Sequence, residues 1–315
     1  MDVKNVKKVV IVGAGIMGHS IAQVFAQSEI EVRLVDMKEE LLERAVRLIK
    51  ANLKTLSGSG LVKEEEIPKI LARLHPTTDL AKAAKGVDFV LEAVVEVPEV
   101  KKEIFQQLER FCTEETVLAS NTSSLDIFSI AGELKRRDRI VVAHWFAPPH
   151  IIPLVEVVPG PETSPSVLNF TAQLMVRLGK RPVVMKTFVP SFIVNRIQQY
   201  IGMAALEIIT KGWASPEDVD LAVKTSLGIR LPIVGVVQTL DFTGLDLVSH
   251  VLKGSLGQVP PFIAERVEKG HLGVKTSKGI YDYNGRSEEE ILQKRDELYL
   301  VMLAQLEKMN AFNPI

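Results

Sequence analysis

A glycine-rich turn between a short apolar run and a helix constrains this chain more than any other feature. The run KVVIV leads into GAGIMG, which places Gly13, Gly15 and Gly18 in the spacing G-x-G-x-x-G. In a strand–turn–helix unit the first glycine permits a tight turn, the second lets phosphates approach the backbone, and the third allows close helix packing. The N–H groups and dipole at the helix N-terminus favour an anion. The turn therefore predicts a site for a phosphorylated ligand.

A second apolar strand ends in Asp36, 18 residues after Gly18. A carboxylate at this place accepts hydrogen bonds from the ribose hydroxyls of a dinucleotide and repels a 2′-phosphate. The sequence therefore predicts NAD as the cofactor, with Ile16 and Met17 of the turn in the same site. The alternative is a glycine turn followed by an aspartate that merely caps a helix. It requires the strand before the turn, the helix after it and the aspartate at the end of the second strand to coincide by chance.

Short β-branched runs alternate with helical segments from Val6 to about Val184, which is typical of a parallel α/β sheet. Between the second and third runs, Lys38 to Pro76 predicts two amphipathic helices around LSGSG, and after TFVPSF only helices are expected. The predicted fold is α/β: a Rossmann-type, doubly wound, mostly parallel sheet with a helical insertion, followed by an all-α C-terminal domain. The expected domains are 1–187, which binds NAD, and 188–315, which binds substrate. The predicted strands are 8–12, 31–36, 87–92, 117–119, 140–144, 154–158 and 182–185.

The charge and cysteine content narrow the class of partner. The 38 basic and 39 acidic residues nearly balance, without a long run of like charge, so a small molecule is expected rather than a nucleic acid. One cysteine and no zinc-type spacing of Cys and His predict no disulfide, no metal site and a cytoplasmic location. No run reaches the roughly 18 apolar residues of a membrane span, and the apolar N-terminal run is interpreted as a strand rather than a secretion signal.

Polar residues follow several of the predicted strands at the edge of the sheet where ligands bind. Glu92 and Asn121 each stand at a strand end, and His144 closes the strand before FAPP. For Glu92 alone, a solvated strand end is the alternative to a role in binding. Glu156 interrupts an apolar run on the next strand, which is costly for a carboxylate without a partner. A paired histidine is a suitable base for oxidising an alcohol, because its pKa lies near neutrality. A buried ion pair without catalytic function remains the alternative for His144 and Glu156.

The ordered motifs GAGIMG, EAVVE, ASNTSSL, AHWFAPP, PLVEVV, VPSFIVNR, DFTGLD and SKGIYDY cover nearly the whole chain. In this set the chain resembles the 3-hydroxyacyl-CoA dehydrogenases of fatty acid metabolism. The resemblance implies that His144 is the base, that Glu156 orients it, and that Ser123 and Asn195 hold the oxygen on C3. It also implies a homodimer formed through the helical domain. The cofactor residues predicted beyond the glycine turn are Glu92, Lys101 and Asn121.

Three departures from the family pattern concern the substrate. The helical insertion keeps only Lys54 and Lys63 near the expected CoA phosphates, Ala147 replaces an asparagine, and SLGIRLPIVG stands where the family has another turn. These features are similar to relatives that act on free hydroxy acids, such as gulonate 3-dehydrogenase (lambda-crystallin). Arg230 could then clamp a substrate carboxylate, or it is a surface or dimer-contact residue. Three hypotheses follow: a 3-hydroxyacyl-CoA dehydrogenase, a dehydrogenase of free 3-hydroxy carboxylates or sugar acids, and a non-catalytic NAD-binding structural protein.

Overall fold

The computed structural model describes residues 2–314 and forms two compact units. The first unit extends to Tyr200 and the second begins at Ile201. The expected boundary at 187/188 precedes the helix Val194–Thr210, and the division between the compact units falls inside that helix.

An eight-stranded sheet forms the centre of the first unit. Its strands are β1 (Lys8–Val12), β2 (Glu31–Val35), β3 (Leu74–Thr77), β4 (Phe89–Glu92), β5 (Val117–Ser120), β6 (Ile140–Trp145), β7 (Leu154–Pro159) and β8 (Arg181–Val184). The spatial order is β3-β2-β1-β4-β5-β6-β7-β8. Every neighbouring pair is parallel except β6 and β7, which are antiparallel. The predicted doubly wound, mostly parallel sheet is confirmed.

Helices cover both faces of this sheet, so its strands are apolar on both sides. Along β1, Val9 and Ile11 belong to one buried cluster while Val10 and Val12 belong to the other. Alternate side chains of a strand point to opposite faces, and a sheet covered on both faces needs them all apolar. The helices of this unit are α1 (Ile16–Gln27), α2 (Glu39–Gly58), α3 (Ile67–Ala72), α4 (Leu80–Ala83), α5 (Pro98–Phe111), α6 (Ile127–Ile130) and α7 (Pro165–Arg177).

The insertion between β2 and β4 contains the two expected helices, α2 and α3, and one strand that the sequence analysis does not predict. That strand, β3, has the sequence LHPT and pairs with β2 at the edge of the sheet. Proline normally argues against a strand because it lacks an N–H donor, but an edge strand tolerates it. The composition of LHPT therefore did not predict β3, because its proline is compatible with a strand only at the edge of the sheet.

The second unit is helical, as predicted. In this unit the buried carboxylate of Asp241 holds the segment 280–283 in place. It accepts hydrogen bonds from the N–H groups of Ile280 and Tyr281 and from the Tyr283 hydroxyl. No single helix within 2–314 is both long and apolar enough to cross a membrane, and one pair that passes by composition, Pro216–Thr243 with Leu245–Leu256, is bent by 87°. The remaining helices are α8 (Val194–Thr210), which begins in the first unit, α9 (Pro216–Ala222), α10 (Gly228–Thr243), α11 (Leu245–Leu256), α12 (Pro261–Glu268) and α13 (Glu288–Lys308).

Candidate active site

The glycine turn lies between β1 and α1, and two of its glycines leave no room for a side chain. Gly13 has φ +103°, and a Cβ there would lie 2.5 Å from the carbonyl oxygen of Ala93. A Cβ on Gly18 would lie 1.7 Å from the carbonyl oxygen of Gly13. Real Cβ atoms do not approach backbone so closely, so both positions require glycine for the turn to close.

Gly15 differs, because a Cβ built there meets no atom within 4 Å. It is the N-cap of α1, and no side chain caps the helix. The N–H groups of the first turn of α1, at Ile16, Met17 and Gly18, have no partner within the helix and border open space. An uncapped helix N-terminus behind a glycine with open space in front fits the pyrophosphate of NAD.

Asp36 follows β2 and joins the strand end to the glycine turn. One carboxylate oxygen accepts the N–H of Ala14 at 2.7 Å, and the other accepts the N–H of Met37 at 2.7 Å. A carboxylate offers about four acceptor sites, so capacity remains for ribose hydroxyls. The backbone contacts hold the side chain in one orientation beside the turn, where the sequence analysis predicts the ribose.

Glu92 and Lys101 form a completely buried ion pair at the end of β4. The ammonium of Lys101 lies 2.7 Å from Glu92 Oε1, and the Ser120 hydroxyl donates to Oε2 at 2.6 Å. Both charged side chains are at most 1% exposed. Glu92 and Lys101 remain predicted cofactor residues, and their observed contacts make them part of a network beneath the carboxyl edge of the sheet.

Glu96 extends this network to the loop that carries Ser123, and the sequence analysis did not identify it. Its carboxylate accepts the Thr122 hydroxyl, the Ser123 N–H at 2.8 Å and the Ser124 N–H at 3.2 Å, and it lies 3.1 Å from Lys101 Nζ. Burial alone would raise its pKa, but these hydrogen bonds and the lysine charge outweigh burial and lower it. The sequence feature that could have indicated Glu96 is its position four residues after Glu92, where β4 ends.

His144 and Glu156 lie opposite each other on the antiparallel strands β6 and β7. His144 Nδ1 is 2.8 Å from Glu156 Oε2, and the two side chains are 3% and 1% exposed. An ionised carboxylate only accepts hydrogen bonds, so a neutral imidazole in this pair carries its proton on Nδ1 and keeps the lone pair on Nε2. Asn121 supports this strand end, because its Oδ1 accepts the N–H of Trp145 at 2.8 Å. The structure thus brings together the pair expected from the sequence, with a ring nitrogen available as a base.

Glu156 has a second function that the sequence does not reveal: it caps the start of α8. Its other oxygen, Oε1, accepts the N–H groups of Ile193 at 3.0 Å and Val194 at 2.9 Å. The helix N-terminus favours negative charge, so one carboxylate serves both the imidazole and the helix. The rings of Phe146 and Phe192 lie 4.5 and 5.1 Å from the His144 ring between centroids.

Ser123 and Asn195 line one cavity of about 400 Å³, together with Ser124, Ser191, Gln198 and Gln199. The structure therefore brings together the two residues predicted to hold the substrate oxygen. The remaining predicted substrate residue, Arg230, lies on α10 in the second unit, where Nη2 donates to Ser226 Oγ at 3.1 Å.

Comparisons with known proteins show the family to which this chain belongs. Residues 8–188 match the family model "3-hydroxyacyl-CoA dehydrogenase, NAD binding domain", and residues 192–283 match "3-hydroxyacyl-CoA dehydrogenase, C-terminal domain". The mitochondrial hydroxyacyl-coenzyme A dehydrogenase of Homo sapiens is 36% identical over 88% of this chain and 91% of that protein.

Two further relatives match this chain over nearly its whole length. The 5-formyl-3-hydroxy-2-methylpyridine 4-carboxylate 5-dehydrogenase of Mesorhizobium japonicum is 28% identical over 92% of this chain and 95% of that protein. A 3-hydroxyacyl-CoA dehydrogenase from Archaeoglobus fulgidus, for which there is a crystal structure, has 33% sequence identity to this chain. The two structures match with a TM-score of 0.80, covering 96% of this chain and 99% of that chain. The glycine turn, the sheet and both matched domains identify this chain as a member of the NAD-dependent 3-hydroxyacyl-CoA dehydrogenase family of oxidoreductases.

Proposed function

We propose that this protein oxidises the 3-hydroxyl of a 3-hydroxyacyl-CoA to the 3-oxo group with NAD, and catalyses the reverse reduction. The observation that carries the proposal is the buried pair of His144 and Glu156, 2.8 Å apart, which leaves one imidazole nitrogen free. NAD, when bound, supplies the acceptor for the hydride that leaves C3. Family membership supports the thioester, since the matching family is described by its action on 3-hydroxyacyl-CoA.

The side chains of this site have distinct proposed roles. His144 Nε2 takes the hydroxyl proton as C3 loses hydride, and Glu156 stabilises the imidazolium that forms. Ser123 and Asn195 donate hydrogen bonds to the oxygen as it becomes a carbonyl. In the reverse direction His144 returns the proton to that oxygen.

Replacement of the base tests this proposal. We expect His144→Ala to lower kcat with acetoacetyl-CoA and NADH by about 10²- to 10⁴-fold, the usual share of general acid–base catalysis. The affinity for NADH should change little, because the glycine turn is untouched. His75→Ala, which removes a half-exposed surface histidine paired with Glu31, is the matched control. Unchanged turnover in His144→Ala would reject the base and favour the non-catalytic hypothesis.

A second candidate keeps this chemistry but acts on a free 3-hydroxy carboxylate or sugar acid. Arg230 favours it, because its Nε is buried and has no hydrogen-bond partner among the described residues. A buried guanidinium N–H without an acceptor is costly, and a substrate carboxylate would satisfy it in a bidentate pair. The Mesorhizobium relative is named for a pyridine carboxylate, and this name supports a free acid as the candidate substrate.

The two candidates are separated by assaying acetoacetyl-CoA against free acetoacetate and by replacing Arg230. If the free acid is the substrate, Arg230→Met should lower kcat/KM for acetoacetate by about tenfold to a hundredfold, as for a lost charged hydrogen bond, and leave the thioester unaffected. Arg266→Met on α12, whose guanidinium donates a hydrogen bond to the carbonyl of Phe262 on the same helix, serves as control. Turnover of thioesters alone would exclude the free-acid candidate.

We also propose that the chain forms a homodimer through its helical unit. The large apolar side chains of Met203, Leu206, Leu300 and Val301 are each more than 60% exposed. Large apolar side chains exposed on α8 and α13 are candidates for burial in an interface between two chains. A cytoplasmic location is proposed from the single cysteine, Cys112, and fractionation of cells expressing a tagged chain would test it.

Light scattering after size exclusion tests the dimer. The wild-type protein should have twice the mass of one chain, and Leu206→Glu should shift it toward the monomer. Leu61→Glu, at a leucine that is 73% exposed in the first unit, should leave the mass unchanged. A monomeric wild-type protein would exclude this proposal.

A further inference from the structure

We infer that His19 is a positioning residue for the pyrophosphate of NAD and that it acts through the carbonyl of Gly15. The contact that supports this is a hydrogen bond of 2.7 Å between His19 Nδ1 and the Gly15 oxygen. His19 lies one turn into α1, directly after the last glycine of the turn. The inference concerns the cofactor alone, so it goes beyond the proposed function and holds for a thioester or a free-acid substrate.

The carbonyl of Gly15 determines where the imidazole of His19 carries its proton. A carbonyl oxygen only accepts hydrogen bonds, so the bonded nitrogen, Nδ1, is the donor. The side chain is buried, and this burial lowers the pKa of His19. The bond to Gly15 opposes this shift but is outweighed, and the charge of Arg44 lowers the pKa further. A neutral ring near pH 7 therefore keeps its single proton on Nδ1, facing Gly15.

The Gly15 oxygen receives two hydrogen bonds from the same residue. Besides the ring, the backbone N–H of His19 donates to it at 3.2 Å, which is the ordinary bond between positions four apart in a helix. The ring bond is the shorter of the two. Side chains that donate to a carbonyl four residues earlier are known for short polar residues in helices. Here the second donor holds the oxygen in a fixed direction.

This direction also fixes the N–H of Ile16, because that N–H and the Gly15 carbonyl belong to one peptide group. The group is planar and trans, so its C=O and N–H point in opposite directions. Hydrogen bonds to the carbonyl polarise the peptide, and its N–H then becomes a stronger donor. The Ile16 N–H is one of the free donors at the start of α1 that suit a pyrophosphate. His19 therefore aims and strengthens a phosphate-binding donor.

Gly15 needs this support because it cannot orient its own peptide group. Glycine lets phosphates come close, but it has more backbone freedom than any other residue. A side chain at this position would restrict that freedom, yet it would occupy the open space in front of the turn. The imidazole instead binds the carbonyl oxygen, which points along α1 away from the N-terminus. The turn thus stays open to the cofactor while its peptide is held from behind.

A pair of variants with nearly the same shape tests the inference by fluorescence titration of NADH. Asparagine keeps an N–H donor at the place of His19 Nδ1, whereas leucine has a methyl group there. We expect the Kd of His19→Leu to rise by about threefold to tenfold, as for one lost hydrogen bond. The Kd of His19→Asn should stay within about twofold of the wild-type value. His19→Ala should match His19→Leu and replaces it in the comparison if the leucine variant does not fold.

Ser20→Ala is the matched control on the same helix. It removes the neighbouring buried hydrogen bond, between Ser20 Oγ and His150 Nδ1 at 2.6 Å, without touching the Gly15 carbonyl. This variant should lower the melting temperature and leave the Kd for NADH unchanged. ADP-ribose and adenosine, which compete with NADH, then locate the effect. ADP-ribose contains the pyrophosphate and should lose the same factor in His19→Leu, whereas adenosine lacks it and should lose none.

Three results would overturn the inference: an unchanged Kd for NADH in both His19→Leu and His19→Ala, a His19→Asn protein that binds as weakly as His19→Leu, or an equal loss of affinity for adenosine. Each would reduce His19 to a packing residue of α1. The titrations contain no substrate, so they are independent of the proposed reaction. Absence of turnover with every 3-hydroxy compound would reject the proposed function and leave the assignment of His19 standing.

Discussion

Replacement of Glu156 by glutamine should abolish most of the activity without unfolding the protein. The carboxylate has two separate sets of partners: Oε2 accepts from His144 Nδ1, while Oε1 accepts from the N–H groups of Ile193 and Val194. A glutamine has one acceptor oxygen and one NH₂ donor, so it can serve only one set. Placing the NH₂ against the helix would leave two buried N–H donors unsatisfied, at about 1–3 kcal/mol each. The oxygen is therefore expected to stay at the helix.

In that orientation the NH₂ group faces His144 Nδ1, which must then accept the hydrogen bond. The imidazole proton moves to Nε2, and the nitrogen proposed as base loses its lone pair. Loss of general-base catalysis lowers kcat by about 10²- to 10⁴-fold. The lost charge gives a similar figure: two charges 4 Å apart at an effective dielectric constant of 20 interact by about 4 kcal/mol, or about three powers of ten in rate.

The assay is the NAD-dependent oxidation of 3-hydroxybutyryl-CoA, with near-ultraviolet circular dichroism and thermal unfolding to establish that Glu156→Gln is folded. Glu162→Gln, the same substitution at a half-exposed carboxylate paired with Arg137, is the control and should be fully active. A folded Glu156→Gln protein whose kcat lies within tenfold of the wild-type value would refute the tautomer reasoning.

Three further changes have outcomes set by local geometry. Gly15→Ala should fold normally and weaken NADH binding measured by titration. Gly18→Ala should lower the melting temperature, because its Cβ would lie 1.7 Å from a backbone oxygen. Equal melting temperatures of the two variants would contradict this contrast. Lys101→Met should cost about 3–5 kcal/mol in urea unfolding because it leaves Glu92 buried without its partner, and a loss below 1 kcal/mol would show the pair to be dispensable. Since the pKa of Glu96 is lowered in the fold, its stabilisation is complete above the unfolded value of about 4.3 and disappears as the pH falls through the folded value. The free energy of unfolding of Glu96→Gln should thus differ from that of the wild-type protein at pH 7 by no more than about 1 kcal/mol, because the carboxylate is 37% exposed, and the two should converge in acid.

Sequence patterns predicted the parts of this protein that depend on period and local turn chemistry. The strand that closes at His144 and the strand that carries Glu156 were expected to be neighbours, and their register places the two side chains opposite each other. The requirement for glycine at Gly13 and Gly18 likewise follows from the shape of one turn. Such features involve short stretches of chain, so the sequence carries nearly all the information.

Features that depend on the direction of a side chain beyond a strand end were not predictable in this way. Glu92 and Glu96 follow the same strand, yet the first is completely buried and the second reaches the Ser123 loop. The capping of α8 by Glu156 joins residues 37 positions apart in sequence. The strand β3 was missed because its proline is tolerated only at an edge, which no local pattern reveals.

Because the carboxylate of Glu156 is shared, its hydrogen bond with His144 and its hydrogen bonds with the first residues of α8 are coupled. A charge gained by the imidazole strengthens the hold on one oxygen and changes how strongly the other accepts from the helix amides. Reciprocity then requires that an event which weakens the hydrogen bonds from Ile193 and Val194 to Glu156 also changes the hydrogen bond between Glu156 and His144, by the same coupling free energy. Substitutions at the start of that helix are thereby able to change how firmly the imidazole of His144 is oriented.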